Sequence, residues 1–536
     1  MFRTPISLLI ACYCIQNALP QEGRETNPTE VRINLEATFQ TIKHFGASDA
    51  WRCYFVGKYW PEEKREVMAE WLFSKEFDES GNPKGIGLSL WRFNLGGGSM
   101  EQGDSSGISN EWRRGESFFS ADQMHYDWNK QEGQQWFLKK AATYGVENLL
   151  LFVNAPPVQY SLNGKAYADK GLKGINLKAE YFDDYAQYLV DVAGHFNNIN
   201  IPVNYISPVN EPQWAWDGGD QEGSPATNEE IYQLSKVLSG KLAQEQPDCN
   251  VILSEAGLMM FASDFRKESR GIWPFVWKFK PGADQVNYFF NRESEGYVGD
   301  FANMEYALAG HSYFSVWPPG RLLRTRSRLE RTIQKVNPGM EYWSSEYCIL
   351  QKNRDIGGGG GRDLGMPTAL YVSRIIHYDL TIENSVSWQW WTAISQVDYK
   401  DGLIYLDYNG TYDSQKLKYD GEVHHSKLLW AFGNYSRFIR PGMQRVEVEY
   451  LQKKPERYKA KNLMISAFKD EESLVIVAVN YAASDQQLEL NVPDLNICGP
   501  VTTYVTSPSK DLQKVVMERD ELTLEGRSVT TLILKL

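Results

Sequence analysis

Between residues 45 and 400 the chain alternates short runs of aliphatic and aromatic residues with longer amphipathic stretches. The runs Ile86–Asn94, Asn148–Asn154, Val203–Pro208, Asn250–Ser254, Leu308–Tyr313, Glu341–Glu346 and Ser385–Trp391 predict strands, most of them ending at polar or small residues. Between them, Gln134–Tyr144, Ala179–Phe196, Asn228–Glu245 and Arg321–Lys335 predict helices. Phe45–Ala50 adds a further strand and completes eight strand–helix units, the signature of a (β/α)8 barrel of the α/β class. The alternative is a doubly wound open sheet, but no glycine-rich phosphate turn follows a strand as that fold requires.

The pattern changes near residue 432. Arg445–Tyr450, Leu463–Lys469, Ser473–Tyr481, Gln487–Val492, Thr502–Thr506 and Ser528–Leu536 are short, β-rich and separated by turn residues, which predicts an all-β sandwich as a side domain. Residues 31–44 are strand-like at their start and are expected to join that domain from the other end of the chain, leaving 45–431 as the catalytic barrel and 432–536 as the sandwich. Gly357–Gly361 reads as a flexible loop and not a phosphate cradle, because no Lys-Ser/Thr follows it.

Residues 1–20 read as a processing segment: Arg3 precedes the apolar run Ile6–Ile15, which is too short to span a bilayer but fits a secretory signal. Two further readings stay open there, a lipoprotein box that would lipidate Cys12 and tether the protein, and a buried N-terminal strand. Nothing else approaches a membrane span.

Composition narrows the partners. The chain of 536 residues carries 17 Trp, 30 Tyr and 24 Phe, or 13% aromatic, more ring surface than a core needs and of a kind used in sugar-binding clefts. A net charge of −12 argues against nucleic acid or anionic lipid and suits a neutral partner. Past the leader, Cys53, Cys249, Cys348 and Cys498 are widely spaced with no CxxC pair, so buried free thiols are expected and neither a zinc site nor a disulfide framework.

Two glutamates carry the candidate chemistry. In VNYISPVNEPQW (203–214) an apolar strand ends at Pro208 and presents Asn210 and Glu211 just beyond it, with Pro208 and Pro212 stiffening the backbone. In EYWSSEYCIL (341–350) Glu346 follows a strand in the same way. In a parallel barrel that end is the catalytic face. Two facing carboxyls are what glycosidic hydrolysis requires, one protonated to help the leaving oxygen depart and one ionised to attack the anomeric carbon. Glu255 in LSEAG also follows a strand and competes with Glu346 for the second role.

With these motifs the chain resembles glycoside hydrolase family 30, within the clan of barrel glycosidases that carry acid and nucleophile on the fourth and seventh strands. The resemblance covers residues 40–536 and implies a side domain packed on the barrel and completed by an N-terminal strand. Glu211 is then the implied acid/base, Asn210 the contact to the sugar 2-hydroxyl, and Glu346 the nucleophile. His311-Ser312-Tyr313 is similar to the family's sixth-strand His-x-Tyr, whose tyrosine bonds the nucleophile; Arg92 matches its second-strand arginine, and Trp391, with Trp388, its eighth-strand tryptophan. NLGGGSMEQGDSSGIS (94–109), WRRGESFF (112–119), HYDWN (125–129), VNAPPVQY (153–160) and NEPQWAWDGGDQEG (210–223) resemble the endo-β-1,6-galactanase branch. Met100 departs from that pattern, where a smaller residue is expected, and would narrow a subsite.

The remaining candidates have bland readings as well. Arg92 is either a structural ion pair or the group that keeps the nucleophile ionised. His311, without an HExxH-like ligand set, is expected to position other groups and not to bind metal. Trp388, Trp390 and Trp391 read first as core; strand alternation sends Trp388 and Trp390 to one side and Trp391 to the other, so not all can face the sugar, and of the three Trp391 is preferred. Trp214 and Trp216 are expected as stacking platforms, and Asn154 either contacts a hydroxyl or serves the turn. Asp49, Glu101, Gln102, Asp127 and Asp217 are expected in mouth loops, split between subsite contacts and loop scaffolding.

The expectation is a retaining endo-acting hydrolase of β-1,6-galactan side chains of plant-type arabinogalactan. It would need no cofactor or metal and be secreted, periplasmic or at the cell surface, with a polysaccharide or oligosaccharide as its partner. The alternatives are a β-1,6-glucanase or xylanase of the same family, or a non-catalytic carbohydrate-binding barrel.

Overall fold

The computed structural model describes residues 28–120, 125–263, 282–493, 495 and 499–536; the expected leader with Cys12, and Cys498, lie outside them. Strand β1 (Thr29–Thr41) belongs to a side sheet. The next eight, β2 (His44–Ser48), β3 (Leu90–Leu95), β4 (Asn148–Val153), β5 (Tyr205–Ser207), β6 (Asn250–Ala256), β7 (Met304–His311), β8 (Glu341–Glu346) and β9 (Ser387–Trp390), close into a parallel barrel. Closure is made by β9 pairing with β2, Trp388 opposite Phe45.

Alternation along these strands sorts the two sides of the barrel wall. On β3, Trp91, Phe93 and Leu95 join the core under the helices, while Leu90 joins Leu150, Ile252, Ala307, Ala309 and Trp343 in a plug at the base of the barrel. The next positions on Leu90's side of β3 are Arg92 and Asn94, so the interior grades from apolar at the base to polar at the C-terminal face. Trp388 and Trp390 are buried in the outer core, which leaves Trp391 on the inner side.

After β9 the chain makes a small sheet that the sequence pattern did not predict: β10 (Thr392–Ser395), β11 (Gly402–Asp407) and β12 (Glu422–His425). The five-glycine run is tied down beside it and is not a free loop. Lys400 donates its backbone N–H to Gly359 O (2.7 Å) and its Nζ to Gly360 O (2.9 Å), and Gly361 N–H donates to Asp398 O (3.0 Å).

The side domain comprises β13 (Gln444–Tyr450), β14 (Leu463–Lys469), β15 (Ser473–Asn480), β16 (Gln486–Asn491), β17 (Val501–Ser507), β18 (Lys510–Met517), β19 (Thr523–Leu524) and β20 (Ser528–Lys535). With β1 they form one nine-stranded order, β18-β17-β20-β15-β14-β13-β1-β16-β19, in which β1 lies antiparallel to β13 and parallel to β16. Alternate residues of β14 and β15 serve two cores. Ile465, Ala467, Leu474 and Ile476 pack with Val31, Leu490 and Leu532 inside the domain, whereas Met464, Phe468, Val475 and Val477 join the barrel's outer core. Edge strand β18 escaped the sequence reading because it pairs on one side only and is largely solvated, so it shows no clean alternation. Helix Lys427–Ser436 runs through residue 432 and stitches the two parts together: Asn434 donates to Tyr504 O (2.9 Å) and accepts from Thr506 Oγ1 (2.7 Å).

Helices Cys53–Tyr59 and Glu132–Thr143 cross with backbone in contact, because a Cβ at Gly57 would overlap the Gly133 carbonyl and one at Gly133 would overlap that of Tyr54. Gly57→Ala is therefore expected to destabilise the protein by about 1–3 kcal/mol or more, read as a lowered urea midpoint at unchanged slope.

Candidate active site

The chain leaving β5 is fixed before it reaches Glu211: Tyr185 Oη donates to Pro208 O at 2.9 Å. Glu211 then takes a left-handed backbone (φ 47°), and its N–H donates to Glu255 O at 2.9 Å. A non-glycine residue in that region costs roughly 1–3 kcal/mol and persists only where neighbours enforce it. Here Trp216 Nε1 also donates to Glu211 O at 3.0 Å, so the loop beyond the glutamate holds its backbone as well.

Glu346, the last residue of β8, receives Arg92 Nη1 at 2.6 Å on Oε2 and the Tyr313 hydroxyl at 2.9 Å on Oε1. His311, at the end of β7, joins the two glutamates. Its Nδ1 lies 2.8 Å from Glu211 Oε1 and 3.5 Å from Glu346 Oε1, and its Nε2 lies 3.1 Å from Glu255 Oε2. One oxygen of Glu211, one of Glu346 and a ring nitrogen of His311 all fall within 4.8 Å of one another. Glu255 is fully buried behind them, accepting from Ser345 Oγ and lying 3.4 Å from Arg92 Nη2.

A chain of amides supports Asn210. Arg92 Nη2 donates to its Oδ1 (3.1 Å), and its Nδ2 donates to Asn154 Oδ1 (3.0 Å). Asn154 Nδ2 donates in turn to Asn94 Oδ1 (2.7 Å), and Asp49 Oδ1 accepts from the Asn94 backbone (2.7 Å). Both ends of the Asn210 side chain are thereby oriented.

Two cations and three carboxyl groups share this cluster, so it is neutral when one carboxyl holds a proton. Burial pushes Glu211 upward, and the negative charge of Glu346 adds to the shift against the pull of His311. Glu255 is the opposite case: burial alone would raise it, but Arg92 and His311 hold it at about 2. His311 loses charge stability to burial, yet the facing Glu346, Glu211 and Glu255 raise it from 6.5 to about 10. Glu211 is thus the member suited to carry the proton, with His311 and Arg92 balancing the two anions. The cluster needs no metal for charge balance. A second trio with ligand-type atoms within 4.8 Å, Asp407, Glu422 and His424, has Arg362 Nη1 at 3.7 Å from Asp407.

A cavity of about 670 Å³ opens over the cluster and is lined by Asn210, Glu211, Tyr313, Glu346, Trp214, Trp216 and Trp391. Seven of the ten expected site residues therefore face one space, while Arg92, Asn154 and His311 do not line it and lie buried beneath its floor. Glu255, the competitor of Glu346, is likewise not on the cavity wall. Of the mouth-loop residues, four take the scaffolding role. Asp49 is fully buried under Asn94; Glu101 accepts from Ser117 N–H and Lys130, and Gln102 donates to Gly164 O; Asp127 accepts from Asn129 N–H. These four, Asp217 and Met100 are absent from the cavity lining, and Met100 packs against the core instead of narrowing a subsite. Sequence reading named none of Trp51, Arg52, Trp112, Arg113, Gln396 and Asp401 as site residues, though all line the wall and Trp112 and Arg113 fall in the quoted WRRGESFF. Trp51 meets Trp391 edge-on at 5.3 Å, and Arg52 is held by Gln396 (2.9 Å) and Asp401 (3.1 Å). The signals available were the density of Trp and Arg in residues 51–52 and 112–114 and, for Trp112 and Arg113, the motif WRRGESFF.

The model of O-glycosyl hydrolase family 30 matches residues 28–405. The chain belongs to family 30. It is 23% identical over 439 residues to the endo-β-1,6-galactanase of Hypocrea rufa, covering 78% of this chain and 76% of that one. It is 27% identical over 198 residues to glucuronoxylanase XynC of Bacillus subtilis, 33% of this chain and 40% of that enzyme. Among solved structures, a conserved exported protein from Bacteroides fragilis is 36% identical with a TM-score of 0.87, covering 94% of this chain and all of that one. The family 30 protein is accordingly a glycoside hydrolase built as a (β/α)8 barrel with a β side domain.

Because its value rises on folding, His311 adds stability that is complete below about 6.5 and fades as pH climbs through about 10. Imidazole NMR should show His311 still protonated at pH 8 in the wild type. In Glu255→Gln the midpoint should move down, towards 6.5.

Proposed function

We propose that the protein is a retaining, endo-acting hydrolase of β-1,6-galactan side chains of plant-type arabinogalactan, with Glu346 as nucleophile and Glu211 as acid/base. The observation that carries the chemistry is the approach of the two carboxyls: an oxygen of each lies within 4.8 Å of the other. An approach that close supports the roughly 5–5.5 Å separation of retaining pairs over the about 6.5–9.5 Å of inverting ones.

In the first step Glu346 attacks the anomeric carbon while Glu211 gives its proton to the departing glycosidic oxygen, and a glycosyl ester forms on Glu346. In the second, Glu211 takes a proton from water, the water oxygen bonds the anomeric carbon, and Glu346 leaves as a carboxylate. Tyr313 and Arg92 bond both oxygens of Glu346 before attack and orient it. Asn210, fixed by Arg92 and Asn154, is suited to the sugar 2-hydroxyl, and Trp391 and Trp214 to its faces. The likeness to the Hypocrea rufa galactanase supports the substrate. A β-1,6-glucanase or xylanase is the alternative within family 30, and a non-catalytic binding barrel the alternative outside catalysis. The exported Bacteroides fragilis relative supports secretion or cell-surface display, in line with the leader read in residues 1–20.

Reducing-end release from purified β-1,6-galactan, β-1,6-glucan and xylan separates these readings, and galactan is expected to be cleaved fastest. Glu346→Ala should abolish turnover, and the first-formed product of the wild type should be the β-anomer by NMR. An α-anomer would overturn the assignment of Glu346. Glu211→Gln should lower kcat about 10²–10⁴-fold on substrates with poor leaving groups. Since Glu211 must be protonated to act first, wild-type activity should fall as pH rises through its raised value, and the variant should lose that alkaline limb.

A further inference from the structure

A groove of about 430 Å³ adjoins the main cavity and lies away from the two glutamates. It is bounded by Ser109–Trp112, by Gln396–Asp398 after β10, and by Tyr412–Gln415 between β11 and β12. Asn110, Trp112, Gln396, Val397 and Asp398 line both spaces, so the two form one continuous cleft.

Its walls are clamped to each other. Trp112 Nε1 donates to Ser414 O at 3.0 Å, and Lys418 pairs with Glu111 while donating to Gln415 Oε1 at 2.9 Å. Two amides are left with spare donors. Gln396 is only 3% exposed; its Oε1 accepts from Arg52 Nε (2.9 Å), and its Nε2 has no partner among the described residues. Asn110 Oδ1 accepts from Trp112 N–H (3.1 Å), and its Nδ2 is likewise unmatched among the described residues. Tyr412 remains 43% exposed although the Arg362 guanidinium, held by donation to Leu406 O (2.7 Å), sits 4.2 Å from its ring centroid. A rigid exposed ring beside unpaired amides suits a pyranose, whose C–H face stacks while its hydroxyls accept from the amides. Among the described residues no lysine or arginine lines this groove, which disfavours an anionic occupant.

We propose that the groove is an additional subsite for a neutral sugar of the same glycan chain, and that Tyr412 makes the enzyme prefer chains long enough to reach it. This rests on the glycosidase reading above. The test is kcat/KM on a ladder of oligosaccharides of whichever glycan the wild type cleaves. The wild type should show a rise of about tenfold at the length where one added sugar enters the groove, equivalent to about 1.4 kcal/mol. Tyr412→Ala should erase that step, and Tyr412→Phe, which keeps the ring, should retain it. A wild-type profile flat with chain length would overturn the subsite, as would Tyr412→Ala lowering every length by one factor. If no glycan on the panel is cleaved at all, the hydrolase reading fails first and the subsite with it, an outcome distinct from cleavage without a length step.

Discussion

Taking Arg92, His311, Glu211, Glu255 and Glu346 out of water is costly unless each charge meets a partner. Exposure runs from 0% for Arg92, His311 and Glu255 to 4% for Glu346 and 8% for Glu211. The solution is a network in which every member touches at least one group of opposite sign. Arg92 reaches Glu346 and Glu255, and His311 reaches Glu211 and Glu255. Glu255 is the counterion that lets two cations stand behind the two cavity-facing carboxyls without leaving both of those permanently charged. Removing any one member strands its partners in a low dielectric, so the network fixes the protonation state and the geometry together.

The barrel holds that network still. Each member comes from a different strand or the turn after it, Arg92 from within β3 and the other four from at or near the ends of β5 to β8, and parallel strands set those ends side by side. The plug around Leu90, Leu150 and Trp343 closes the base, so the polar groups one and two steps above it have no route into the apolar interior. The loops add a second restraint. Glu222, fully buried, accepts from the backbones of Gly97, Ser99 and Gly115 and ties the segment after β5 to the segment after β3. Burial and these donors act in opposite directions on that carboxyl, which ends near 7. The cavity wall is consequently assembled from loops that brace one another across the barrel mouth.

Period and polarity carried most of the fold at the level of sequence. Glu341–Glu346 and Asn228–Glu245 are bounded as the pattern predicts, since each is a complete run of one period closed by a break in it. The helix even carries its capping box, Thr227 with Glu230. Strand β5 shrank to Tyr205–Ser207 because Pro202 and Pro208 cannot donate to a ladder. The sheet β10–β12 went unseen because its strands are four to six residues long and none alternates in burial: β10 and β11 are buried at every position and β12 at none.

The residues of the site divide in the same way. Local sequence determined that Glu211 and Glu346 stand at strand ends and that Trp391 lies on the side opposite Trp388 and Trp390, because strand period and proline placement are properties of a few neighbouring residues; which of those sides faces inward was decided by the tertiary structure. Only the tertiary structure decided which glutamate would become the buried counterion and which two would face the cavity. It also decided that Arg92, Asn154 and His311 would work from below and that Gln396 and Trp112 would share a wall. Those outcomes depend on burial and on charges that meet across the barrel, and neither exists until the eight strands have closed.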